Sequence, residues 1–230
     1  MMSSHSSLLV LYAMPLDASN TRTSGQLAND IFGINTSVSE PQDPVNGRSQ
    51  VLRCSRGQLN YMPACGTDGQ ACYPFINQSV SFVNGILQVP INYNIAGIDS
   101  GTVVNWVAAE AQSEIFCVSH QCSTLMVVYN RLTFHDLPLL ACITADILLA
   151  QTPPIDLYSF NQIMHVIPDA ANWGGAAAWA YLPGQVSAFM SSYSSSMGVQ
   201  VHEFGHNIGL HHAGYNGGSY ADHSNLMGEN

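Results

Sequence analysis

Residues 202–212 read His-Glu-Phe-Gly-His-Asn-Ile-Gly-Leu-His-His, with two histidines at i and i+4 and a glutamate directly after the first. On a helix this spacing stacks both imidazoles on one face, one turn apart. Two neutral imidazole nitrogens about 2.0–2.1 Å from a common point can hold a Zn²⁺ ion, which favours a tetrahedron and keeps one position open in catalytic sites. The third protein ligand has to come from beyond the helix. Gly209 can adopt the left-handed conformation that ends a helix and turns the chain back, bringing His212 to the metal. The pattern is HExxHxxGxxH, with His202, His206 and His212 as ligands. His211 is the neighbouring candidate, and the spacing favours His212.

Glu203 stands about 100° round the helix from His202, so it does not ligate but reaches a water in the open position. Zinc lowers the pKa of such a water to about 7. Glu203 then takes its proton as the water attacks a peptide carbonyl, and passes it to the leaving amine. The bland alternative is a surface helix with solvated histidines. Against it, a glycine inside a helix costs about 1 kcal/mol relative to alanine, and this segment carries Gly205 before ending at Gly209. Four of the chain's nine histidines also fall within these eleven residues.

Past His212, Gly214, Gly217 and Gly218 allow the chain to loop back, and Ser224-Asn225-Leu226-Met227-Gly228 has turn chemistry around an apolar residue. Met227 is expected to lie beneath the three imidazoles as a polarizable floor. Asp222 is a candidate for orienting a ligand histidine through a hydrogen bond, with a plain turn role as its alternative.

These side chains need a frame. Leu8–Met14 has the length of a buried strand closed by Pro15. Ser24–Phe32 reads as a helix with Ser24 as its cap, Leu27, Ala28 and Ile31 on one face, and Gly33 as its stop. Residues 35–50, rich in Ser, Pro, Asn and Gln, read as a surface loop. Gln58–Tyr61 and Gly85–Tyr93 carry strand signals. Val103, Trp106, Val107 and Glu110 give a helical period over 102–116. Within 117–150, Leu125–Tyr129 has strand character and Leu139–Leu149 the look of a buried helix, but Pro138 and the cysteines interrupt any clean period. Gln162–Ile167 reads as a core strand, and Gly174–Leu182 as an edge strand beside a cleft. Strands alternating with helices give an α/β chain.

Composition narrows the partners. The chain has 230 residues, 47% of them apolar, enough for one sizeable core. Fifteen acidic side chains face five basic ones, all arginine, for a net charge of −10. Phosphate binding needs clustered Lys or Arg, so nucleic acid and anionic membrane are excluded as partners. No apolar stretch approaches the roughly 20 residues of a membrane span. Six cysteines, Cys54, Cys65, Cys72, Cys117, Cys122 and Cys142, contain no CxxC pair and favour disulfides in an oxidising compartment. Sequons at Asn35 and Asn77 fit a secreted glycoprotein. The Leu8–Met14 run is poor as a signal peptide, so the expectation is export by another route or a start upstream of Met1. His5, His120, His135 and His165 are expected to be surface or satisfied core groups.

HExxHxxGxxH followed by a Met-containing turn resembles the metzincin clan of zinc peptidases. Within it, His202–His212 with Asn207 after the second ligand, then Ala213-Gly214 and Tyr220-Ala221-Asp222 leading to Met227-Gly228, look like the gametolysin family. A weaker likeness through Cys54–Leu59, Asn84–Ile91 and Gln162–Pro168 extends over most of the chain. The resemblance implies one catalytic domain over 1–230, built on a twisted mixed β-sheet with two long helices below it. The active-site helix would divide an upper subdomain of about 1–209 from a small lower one over 210–230. An extended peptide would lie along the edge strand. It further implies a secreted zinc endopeptidase acting on extracellular-matrix or cell-wall glycoproteins. Against that family pattern, 117–150 reads as an insertion and the lower subdomain as truncated. The alternative is a catalytically silent, truncated metal-binding extracellular module.

Overall fold

In the computed structural model, which describes residues 4–34, 45–64, 82–83, 85–119, 160–214, 222 and 225–228, the apolar run Leu8–Met14 forms the middle of strand β1 (Ser4–Pro15). β1 changes partners along its length. Ser4–Leu8 run parallel to β2 (Leu59–Pro63), and Val10–Pro15 run parallel to β4 (Ile86–Ile91). On the other side, Leu8–Tyr12 run parallel to β5 (Gln162–Ile167). β5 pairs in parallel with β7 (Val186–Met190), which carries the antiparallel edge strand β6 (Ala178–Ala180). At the opposite edge, β3 (Phe82–Val83) pairs antiparallel with β4. The seven described strands form one mixed, mostly parallel sheet in the order β3-β4-β1-β5-β7-β6, with β2 beside the first half of β1.

Parallel strands are joined by crossovers that cover the sheet's faces, so their residues are buried on both sides; all six residues of β5 are buried. One face is covered by α3 (Ser100–Ser119), whose Val103, Val104 and Val107 share a core with Leu9, Leu11, Ile163 and Ala188. The other face takes α1 (Ser24–Phe32), α2 (Gly47–Cys54) and α4 (Met197–Asn207). There Leu27, Ile31, Val51 and Phe204 pack with Leu8, Val10, Met164, Val166 and Phe189. Phe204 meets Tyr61 and Phe189 edge-on, with ring centroids 5.1 and 6.1 Å apart. Burying such a ring contributes roughly 1.5–3 kcal/mol, which seats the histidine-bearing helix on the sheet.

Local signals explain where the sequence reading holds and where it needs correcting. α1 has the expected limits, but its cap is Thr23, not Ser24. The Thr23 hydroxyl accepts from Gln26 N–H while the Gln26 side chain accepts from Thr23 N–H. Ser24 instead accepts from Gln88 Nε2. Gly33 ends the helix in the left-handed region at φ 70°. The loop expected over 35–50 gives way to α2 from Gly47, because Asn46 and Ser49 form a reciprocal capping box. Gln58 lies outside β2, and β4 stops at Ile91, two residues before Tyr93. α3 begins at Ser100 and extends through Ser119, so the supposed insertion opens inside a helix. Within Gly174–Leu182 only Ala178–Ala180 are strand, since Gly174 and Gly175 take positive φ in a turn. β7 is not among the elements expected from sequence.

Leu125–Tyr129 and Leu139–Leu149 lie outside the described residues, as do Cys65, Cys72, Cys122, Cys142 and both sequons. Cys54, the last residue of α2, is exposed and unpaired among the described residues. Among the described residues, no helix is long and apolar enough to cross a membrane.

His165 is not a satisfied core group. It sits mid-strand in β5, between Leu11 of β1 and Ala188 of β7, 1% exposed, and neither ring nitrogen has a well-formed hydrogen bond among the described residues. Burial pushes the imidazole down to about 4, only partly offset by the Ser187 backbone. A base whose folded pKa lies below its unfolded value near 6.5 contributes stability above pH 6.5 and loses it as pH falls towards 4, here roughly 3 kcal/mol in full. We therefore expect His165→Leu to flatten the fall in urea midpoint between pH 7 and pH 4.5, measured with chelator present so that metal loss does not contribute. Parallel pH profiles for the two proteins would remove His165 as the source.

Candidate metal centre

α4 presents His202 and His206 one turn apart, with ring centroids separated by 4.8 Å. The helix ends as a glycine-terminated helix should. Gly209 takes φ 95°, its N–H donates to His206 O, and Leu210 N–H reaches back to Gly205 O. This turn delivers two groups to the site. One is the Leu210 carbonyl, which lies 2.8 Å from His206 Nδ1. The other is His212, whose ring centroid stands 5.4 Å from that of His202 and 4.6 Å from that of His206. The neighbouring His211 is exposed.

A carbonyl only accepts, so the proton on His206 lies on Nδ1, and its Nε2 offers a lone pair. The same logic holds for His202, whose Nδ1 lies 3.0 Å from Leu226 O. His206 Nε2 and His212 Nε2 face each other at 2.9 Å, and donor atoms of all three histidines lie within 4.8 Å of one another. Four-coordinate zinc with nitrogen ligands places those nitrogens about 3.3 Å apart. Burial holds His202 and His212 below their ordinary pKa, partly offset at His202 by the Leu226 carbonyl and reinforced at both by neighbouring imidazoles, which favours the neutral form a metal requires. Glu203, 6% exposed, is pushed up to about 7 by burial, and its Oε2 has no hydrogen-bond partner among the described residues. Three converging imidazole nitrogens are a donor set that suits a divalent cation.

The turn over residues 225–228 packs against α4. Met227, 5% exposed, packs so closely on α4 that a Cβ at Gly205 would lie 2.5 Å from its sulfur. Gly205 therefore does more than tolerate a helix interior; it makes room for the methionine. The turn is held by Asn225 N–H to Asp222 O, Met227 N–H to Asn225 Oδ1, and Gly228 N–H to Asn225 O. Ala213 N–H donates to Met227 O, and Asp222 N–H to Ala213 O, tying the turn to the segment that carries His212. Asp222 thus joins the turn through its backbone. The orienting acceptors for His202 and His206 are main-chain carbonyls, which no motif search could have singled out.

Asn207 is the other residue whose role the sequence did not reveal. Its Nδ2 donates to Tyr181 O at 3.1 Å and to Val186 O at 3.0 Å, while its own carbonyl accepts from Gly184 N–H at 3.1 Å. The residue after the second histidine therefore grips the loop between β6 and β7.

Residues 106–230, more than half of the sequence, match the family model described as Gametolysin peptidase M11. The chain belongs to the gametolysin peptidase family. No curated protein and no solved structure gives a significant match. Membership makes this gametolysin-family chain a metallopeptidase with protein substrates, and the cluster of His202, His206 and His212 is where a metal could sit.

Because Gly209 is at φ 95°, a side chain there is strained whatever the space around it. Gly209→Ala is expected to cost about 1–3 kcal/mol and to weaken metal binding at least ten-fold by displacing His212 and the Leu210 carbonyl. Chelator competition against Ile208→Ala, a change at the exposed neighbour, measures this. Equal metal affinity in the two variants would refute the role given to the turn.

Proposed function

We propose that this chain is a zinc-dependent endopeptidase of the metzincin type, with His202, His206 and His212 as zinc ligands and Glu203 as general base. The observation that carries the reading is the meeting of donor nitrogens from three histidines within 4.8 Å, at the end of the helix that also carries the buried Glu203, whose Oε2 has no hydrogen-bond partner among the described residues. Zinc at this position supplies Lewis acidity to an attacking water and to the scissile carbonyl. Everything else falls to the protein. The Leu210 and Leu226 carbonyls fix two ligand tautomers, so that the rings need not reorganise during turnover. Glu203 accepts the proton that the water loses on attacking the carbonyl carbon, and returns it to the amide nitrogen as the C–N bond breaks. Burial raises the Glu203 carboxyl above the usual carboxylate range, which strengthens it as a proton acceptor.

The sheet supports one placement for the substrate. β6 hydrogen-bonds to β7 on one side, and no other described strand pairs with it. Its free edge suits an extended peptide added as a further strand. Met227, in its turn against Gly205, is read as the floor beneath the ligands, and the Asp222 carboxylate as a further orienting group for a histidine. Zinc as the ion, matrix or cell-wall glycoproteins as substrates, and secretion rest on the donor set, the cysteine and sequon pattern and the family likeness.

Glu203→Gln should retain stoichiometric zinc while losing about 10²–10⁴-fold in kcat, whereas His202→Ala should lose zinc as well as activity. Metal analysis and cleavage of unfolded casein test both. Undiminished cleavage by the zinc-loaded Glu203→Gln protein would end the catalytic assignment.

A further inference from the structure

We infer that Asn207 is a positioning residue: it sets the β6 edge relative to the metal helix, and with it the docking of an extended peptide beside Glu203. The inference rests on the peptidase reading above and concerns how that site holds its substrate. The side chain is 5% exposed and sits at the end of α4, immediately after His206. Its amide has two protons, and both are spent on carbonyls at the two ends of one loop, Tyr181 just past β6 and Val186 at the start of β7. Those two residues also pair with each other, Tyr181 N–H donating to Val186 O. The amide therefore grips the closed end of the hairpin whose outer strand is the sheet edge.

Residue chemistry makes this contact specific. Both neighbours are acceptors, so the amide nitrogen has to face them. The price is Oδ1, which is buried with no partner among the described residues. Serine offers a single donor and alanine none, while aspartate would set a carboxylate against two carbonyl oxygens. Each of these variants keeps the main-chain bond from Gly184 N–H to the carbonyl of residue 207. The hairpin thus stays attached to the helix, and what changes is its aim.

The test compares Asn207→Ser with wild type in zinc-loaded protein, using amide hydrogen exchange over 178–186, affinity for fluorescent unfolded casein in the Glu203→Gln background, and KM and kcat on casein. Exchange at Tyr181 should accelerate at least ten-fold while Gly184, whose main-chain bond remains, stays within about two-fold; casein affinity should fall about ten-fold, and KM should rise to match. Zinc content should be unchanged and kcat should stay within about two-fold, the signature of lost uniform binding. Unchanged exchange and casein affinity would overturn the inference, as would accelerated exchange throughout α4 with loss of zinc, which would make Asn207 a plain helix anchor. Wild-type protein that binds zinc and casein but cleaves nothing would sink the peptidase reading alone, leaving exchange and affinity to decide the role of Asn207.

Discussion

An imidazole has two nitrogens, and a metal site forms only if the surrounding fold chooses between them. Here the choice is made by main-chain carbonyls: Leu210 O beside His206 Nδ1 and Leu226 O beside His202 Nδ1. Neither carbonyl belongs to the helix that carries the two rings. Leu210 is in place because Gly209 turns the chain, and Leu226 because the C-terminal turn folds back against Gly205. Helix end, third histidine and methionine turn therefore depend on one another, and none of them orients the site alone.

The sheet supplies the rigidity this arrangement needs. α4 is pinned by Phe204 in the aromatic contact with Tyr61 and Phe189, while its last residue is bonded to the β6–β7 loop. The helix is thus fixed at its middle by apolar packing and at its end by directional bonds, and these resist different motions. The opposite face tolerates a liability: His165 occupies the centre of the sheet as a neutral imidazole without well-formed partners among the described residues.

The meeting of His202, His206 and His212 was the most legible part of the sequence, because its spacing is dictated by helix geometry and its exit by a single glycine. α1 was legible for the same reason, since its apolar face and terminal glycine lie within nine residues. α2 was hidden because its start signal, Asn46 with Ser49, sits in a stretch whose polarity reads as loop. β7 was hidden because Ser187 is buried as deeply as Ala188 and Phe189, so no alternation marks it. The acceptors that orient the histidines were beyond reach, since every residue has a carbonyl and only the fold decides which is used. Asn207 was visible as a letter in the motif, but its purpose depends on a hairpin more than twenty residues upstream.

The contact between Gly205 and Met227 has a consequence for how the chain can vary. The helix gives up a side chain at the spot where the turn inserts one, so the space is filled once, by an atom group borrowed from elsewhere in the sequence. Volume at that point is a property of the pair. Enlarging the first residue demands a smaller second, and either change made singly leaves a collision or a hole.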